Sequence, residues 1–391
     1  VKVTEDEVAV IANKYGYIFK DNEKEEFTTL VSATCNAMQF VAEMDDYQPE
    51  PDFNLTPREN IYFPKKEDNP DNAWAYRCKI THKEPKTDLL AGKTFCIKDN
   101  ICVAGVPCLV GTETFTGFTP KVDATLITRI LEAGGTIVGK AVCENLSVSA
   151  TSYTAATGPI SNPYVKGYSA GGSSSGTANL VALGAVDMGI GADQGGSIRI
   201  PSSLCGLYGF KATTGLVPYT GCISNEAIID YAGPMTRTLL ENAVILEAIA
   251  GVDGYDDRQR AGTPFPKDVP QYSKILLETK EQGVKGLRIG ILKEALSSPN
   301  TDPGVKSKFE AAAAVFAELG ATVEEVSIPM HDLAPAIFTA LSRQGQFIGR
   351  QMQGTGRRQL MLTDLNEKCY PYTPQAVEKV SFSPLSLQSP P

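Results

Sequence analysis

The chain has 391 residues, 42% hydrophobic and 21% charged, with a net charge of −9. That length and balance allow a full globular core, in one large domain or two to three smaller ones. The acidic balance argues against a nucleic-acid footprint, and no apolar run reaches membrane-spanning length. The first residues, "VKVTEDEVAV", are charged and lack a signal-peptide core, so the cytoplasm is the expected compartment. Nine cysteines, an odd count without a C-x-x-C pair, fit neither a zinc site nor a disulfide scaffold. They read as reduced thiols packed as small hydrophobes. With only His82 and His331 present, His-rich metal sites are excluded and acid–base chemistry must draw on other side chains.

Residues 4–18 predict a helix, with Thr4 and Glu7 as a capping box and Val8, Ile11 and Ala12 on one face. Residues 23–44 predict a second, with Phe27, Leu30, Val31, Thr34 and Met38 at helical spacing. "YQPEPDFNLTPREN" and "FPKKEDNPDN" follow, Pro-rich and charged, as a linker or an extended segment wrapping the next domain. From residue 90 short apolar strands alternate with helices, as in an α/β domain. The strands are "KTFCIKD", "TIVGKAV" and "MGIGAD", and the helices are 123–135 and the small-residue run "SGTANLVALGAVD". "GLRIGIL", "GVKSKFEAAAAVFAELG" and "ATVEEVSI" make a β–α–β unit. The last residues, "SFSPLSLQSPP", are low-complexity and predict disorder.

Two Gly/Ser clusters stand out, "SAGGSSSG" at 169–176 and "DQGGSIR" at 193–199. One helix and one strand separate them, which brings both loops towards the same sheet edge, where α/β proteins bind ligands. A phosphate cradle is one reading, but neither G-x-x-x-x-G-K-[ST] nor a strand-borne G-x-G-x-x-G is present. Turn glycines with capping serines are a second, and for either cluster alone the stronger. The third is acyl transfer by a serine nucleophile with a backbone oxyanion hole. It needs a base. "GSSSG" matches a nucleophile elbow centred on Ser174, with His331 as base, but leaves "DQGGSIR" unexplained. Lys98, in "FCIKDNICVAG", is either a surface lysine paired with Asp99 or a buried amine, and the flanks Phe95, Cys96, Ile97, Ile101 and Cys102 favour burial. Desolvation lowers a buried lysine's pKa, and bringing it from ~10.4 to neutrality costs about 4–5 kcal/mol. A fold tolerates that cost only where function returns it.

Lys98, Ser173 and Ser197, set in "IKDNICVAGVP", "AGGSSSG" and "DQGGSIRIPSSLCG" with "GPMTR" downstream, resemble the amidase signature family of Ser–cis-Ser–Lys hydrolases. The likeness runs from about residue 70 to about 340 and is greatest to bacterial and fungal amidases with an N-terminal helical extension. It implies a central mixed β-sheet flanked by helices. It also implies Ser197 as nucleophile, Ser173 as the bridging serine and Lys98 as base. The N–H groups of Gln194, Gly195, Gly196 and Ser197 would bind substrate at the oxyanion, with Asp193 and Arg199 bracing the loop.

The resemblance further implies hydrolysis of a small-molecule carboxamide to an acid and ammonia or an amine, with no metal or organic cofactor. Neither nucleic acid nor membrane is an expected partner, and the N-terminal helices are candidates for a homodimer contact. Two alternatives stay open: a catalytically impaired homologue acting as a structural or binding protein, and a glutamine-hydrolysing amidotransferase subunit. The expected organisation is a helical segment and linker at 1–70, an amidase signature domain at 71–345 and a divergent, partly disordered tail at 346–391. The likeness fades after about Gln344. The central sheet is therefore expected to be incomplete at its C-terminal side, and the chain poorly soluble and weakly active.

Overall fold

The computed structural model describes residues 2–20, 22–44, 49–112, 118–299 and 301–347. The chain divides into two compact units, 1–49 and 50–391. In the first, α1 (Glu5–Lys14) and α2 (Glu23–Ala42) form the two predicted helices. The Thr4 hydroxyl accepts the Glu7 N–H and the Glu7 carboxylate accepts the Thr4 N–H, so the capping box is complete. α1 ends earlier than its apolar pattern suggested, because the chain turns at Gly16, which has φ +71°. Tyr17, Phe19 and Phe27 pack as an aromatic cluster beside Val8. α2 has no buried residue, and Leu30, Met38, Phe40 and Val41 are exposed.

The second unit opens with β1 (Arg58–Tyr62) and β2 (Trp74–Ile80), then β3 (Thr94–Lys98), α3 (Thr125–Glu132) and β4 (Thr136–Ala141). α4 (Ser175–Ala182), β5 (Met188–Asp193), α5 (Arg199–Leu204), β6 (Tyr208–Gly209), β7 (Tyr231–Thr236) and α6 (Leu239–Ile249) follow. They build one seven-stranded mixed sheet in the order β1-β2-β4-β3-β5-β7-β6. β3 lies parallel to both β4 and β5, while β2 and β7 flank this parallel centre in antiparallel register. β1 falls within the stretch that read as linker: its residues are mostly exposed, so no apolar alternation announces it.

The core joins Phe95, Ile97, Ile137 and Ile190 of the sheet to Leu126, Ile127 and Ile130 of α3 and Ile245 and Ile249 of α6. Arg129 of α3 donates to the carbonyls of Ile249, Ala250, Gly251 and Val252, satisfying the orphan acceptors at the end of α6.

The chain continues through α7 (Tyr272–Glu278), β8 (Arg288–Leu292), α8 (Lys293–Ser297), α9 (Pro303–Glu318), β9 (Thr322–Val326) and α10 (Ala334–Phe347). β8, α9 and β9 form the predicted β–α–β unit, whose parallel strands pair with each other and not with the large sheet. Ala313 is the one buried residue of α9, and Phe309, Val315 and Leu319 are exposed. Among the described residues no helix is long and apolar enough to cross a membrane. The eight described cysteines are unpaired, seven of them buried. Cys369 and the expected tail disorder lie outside the described residues.

Candidate active site

Lys98 ends β3, the middle strand of the parallel centre, and is completely buried. Its Nζ donates to Ser173 Oγ at 2.8 Å and to the Ala192 carbonyl at 3.0 Å. Desolvation lowers its pKa to about 8, against the opposing pull of Cys143, Asp193, Glu144 and Asp230. Asp99 does not pair with Lys98. It pairs at 3.1 Å with Lys140 of β4, also completely buried, and accepts the N–H groups of Leu109 and Val110. Burial works against the Lys140 charge, but Cys108 and Asp99 outweigh it and raise that pKa. Adjacent strands thus bury two lysines whose pKa values are pushed in opposite directions.

Ser173 belongs to the loop that enters α4, and the Gly172–Ser173 peptide is cis. Its carbonyl accepts the Glu144 N–H at 3.1 Å. Ser174 Oγ donates to the Ala192 carbonyl and accepts the Ala192 N–H, which ties that hydroxyl to β5. His331, the base of the elbow reading, is exposed on a short 3₁₀ turn.

β5 ends at Asp193, and the chain turns through Gln194–Ser197 into α5. The Asp193 carboxylate accepts the N–H groups of Gly196 (2.7 Å) and Ile198 (3.0 Å) and both arms of the Arg199 guanidinium (3.0 and 2.8 Å). Burial raises its pKa, but the Arg199 and backbone donors outweigh that and hold it below the usual range. The Gly196 N–H is therefore engaged, whereas those of Gln194, Gly195 and Ser197 have no hydrogen-bond partner among the described residues. The Ser197 carbonyl accepts the Ser174 N–H at 3.3 Å, linking the two Gly/Ser loops.

Ser197 is 9% exposed and opens on a cavity of about 260 Å³ lined by Ser147–Ala150, Gln194, Gly195, Ile200, Asn225 and Phe338. A Cβ on Gly195 would stand 2.5 Å from Cζ of the Phe338 ring, so the ring would have to shift to admit it. Among the described residues no three His, Cys, Asp or Glu side chains are grouped to hold a metal ion.

Residues 60–367 match the family model described as Amidase. The chain belongs to the amidase family. The match extends past Gln344, where the motif likeness fades.

Among amidase relatives, the chain is 40% identical over 342 residues to an enantioselective amidase of Rhodococcus rhodochrous, covering 87% of this chain and 63% of that one. It is 36% identical over 249 residues to a glutamyl-tRNA(Gln) amidotransferase subunit of Salinibacter ruber, covering 64% and 46%. The corresponding subunit from Thermotoga maritima superposes with a TM-score of 0.61 at 28% identity, over 78% of this chain and 66% of that one. A peptide amidase from Stenotrophomonas maltophilia gives 0.60 at 28% identity, over 76% and 62%. The chain thus spans less than two thirds of the length of the curated Rhodococcus and Salinibacter relatives.

Two features of the site escaped the sequence reading. One is the Asp99–Lys140 pair. The other is a network in which Gln194 Nε2 donates to Tyr219 Oη (3.0 Å) and Asp230 Oδ1 (2.8 Å), with Asp230 also accepting from Ser224. A charged residue inside an apolar run was the available signal for Lys140, in "TIVGKAV".

Proposed function

We propose that this chain hydrolyses a small carboxamide through an acyl-enzyme on Ser197, with Ser173 and Lys98 relaying the proton. The reading rests on one observation above all, a completely buried lysine 2.8 Å from the hydroxyl of a buried serine. Neutral Lys98 accepts the Ser173 proton as Ser173 accepts that of Ser197, whose oxygen attacks the carbonyl carbon. The negative charge that develops on the carbonyl oxygen meets the free N–H groups of Gln194, Gly195 and Ser197. The proton returns through the same relay to the leaving nitrogen, which departs as ammonia or an amine. Water then enters by the same base catalysis and releases the acid.

The small-amide reading is preferred to a glutamine-hydrolysing amidotransferase subunit because the amidase relative aligns over 87% of this chain, the amidotransferase relative over 64%. The exposed apolar residues of α2 support a homodimer built on the N-terminal helices. The sequence motifs support an amidase domain over 71–345.

The test is labelling with a fluorophosphonate, alongside mass-spectrometric detection of acid released from benzamide. Adduct on Ser197 and acid release are expected. Adduct on Ser173 or Ser174 would transfer the nucleophile role, and absence of both adduct and acid would overturn the reading.

A further inference from the structure

Glu144 follows β4 and is completely buried. Its Oε1 accepts the Thr151 N–H (2.8 Å), the Thr151 hydroxyl (3.3 Å) and the Ser152 N–H. Its Oε2 accepts the Thr154 N–H (2.8 Å) and the Thr154 hydroxyl. The segment gathered by this one carboxylate carries four non-glycine residues at positive φ: Leu146 (52°), Ser147 (58°), Ser149 (113°) and Ser152 (62°). Such conformations cost energy in an L-residue and persist only where neighbouring structure over-determines them. Residues 147–150 of this segment form one wall of the cavity that holds Ser197. Through its main chain, Glu144 also donates to the Ser173 carbonyl at 3.1 Å.

We propose that Glu144 is a positioning residue for substrate: its carboxylate clamps the strained cavity wall, and its backbone registers that wall against the Ser173 loop. The proposal rests on the amide-hydrolysis reading for the identity of the ligand. A carboxylate is suited to the place because it only accepts, and all five groups aimed at it donate. Glu144→Gln keeps the volume but turns an NH₂ towards N–H donors, so the wall loses its clamp. The contact to Ser173 survives, because it comes from the main chain. Binding and proton relay should therefore separate.

The experiment compares benzamide binding, by calorimetry, to Ser197→Ala and to Ser197→Ala/Glu144→Gln. Losing charge-assisted bonds predicts a Kd weaker by about tenfold or more. With Ser197 restored, KM for benzamide should rise by about the same factor while kcat stays within about threefold. Should Glu144→Gln fail to fold, Thr154→Val removes a single hydroxyl donor and predicts about threefold weaker binding. A Kd within about twofold in a folded protein, or no benzamide binding by either protein, overturns the proposal. A fall in kcat at unchanged KM also overturns it. Failure of the unsubstituted chain to turn over benzamide counts against the hydrolysis reading and leaves the binding comparison to decide the role of Glu144.

Discussion

The pKa of Lys98 carries two predictions. In the proposed relay the base works only when neutral, so kcat/KM for an amide should rise with pH through about 8 and level off above it. A profile flat across that range would remove Lys98 from the relay. Lys98→Ala should lower kcat/KM by about 10²–10⁴-fold, whereas His331→Ala, at an exposed position, should leave it within about twofold. The second prediction is thermodynamic. The folded pKa, about 8, lies below the ordinary 10.5, so between those values the unfolded chain binds more protons and stability rises with pH. The penalty for burying the amine is full below pH 8 and fades towards 10.5. Lys98→Met removes the titration, so its stability relative to the parent should fall by about 3 kcal/mol from pH 7 to pH 10.5, measured by denaturant unfolding.

At the scale of elements, α10 meets the Gln194–Ser197 loop where Phe338 rests on Gly195. Gly195→Ala would drive a methyl into that ring. Turnover should fall about 10–100-fold, and Phe338→Ala should recover much of it, because the ring is the obstructing group. Steady-state kinetics of the two single variants and the double variant check this coupling. Independent, additive losses would show that the loop itself rejects the methyl.

Elements differ in how plainly their residues announce them. β3 and β5 are apolar runs that end in a charged residue, and α3 has a clean apolar stripe, so all three are legible in sequence. β1 is mostly exposed and is held by pairing with β2 from Arg58↔Ile80 to Tyr62↔Arg77, which no local pattern encodes. The site divides in the same way. Lys98, Ser173 and Ser197 sit in dense motifs that sequence reading singles out. Asp99 and Glu144 act on groups chosen by the folded chain, and nothing in "IKDNI" or "VCENLS" names those partners.

For the whole molecule, exposed apolar surface sets the behaviour in solution. α2 leaves Leu30 and Met38 uncovered, and α9 leaves Phe309 and Leu319 uncovered. Exposed apolar side chains that gather into a patch mark an interface or an aggregation liability. If α2 supplies the dimer contact, Leu30→Glu/Met38→Glu should weaken dimerisation at least about tenfold by sedimentation velocity, and Phe309→Glu/Leu319→Glu should leave it unchanged while improving solubility. The reverse pattern would assign the dimer to α9. The topology of the large sheet also sets a timetable. Lys98 contacts the carbonyl of a residue 94 positions later in the chain. At about 5–20 residues per second, a ribosome needs roughly 5–20 s to deliver that partner. Through that interval β3 has neither β5 beside it nor a loop above it, and Lys98 is an ordinary hydrated ammonium. The nascent chain thus buries Lys98 late, in the same event that closes the middle of the sheet.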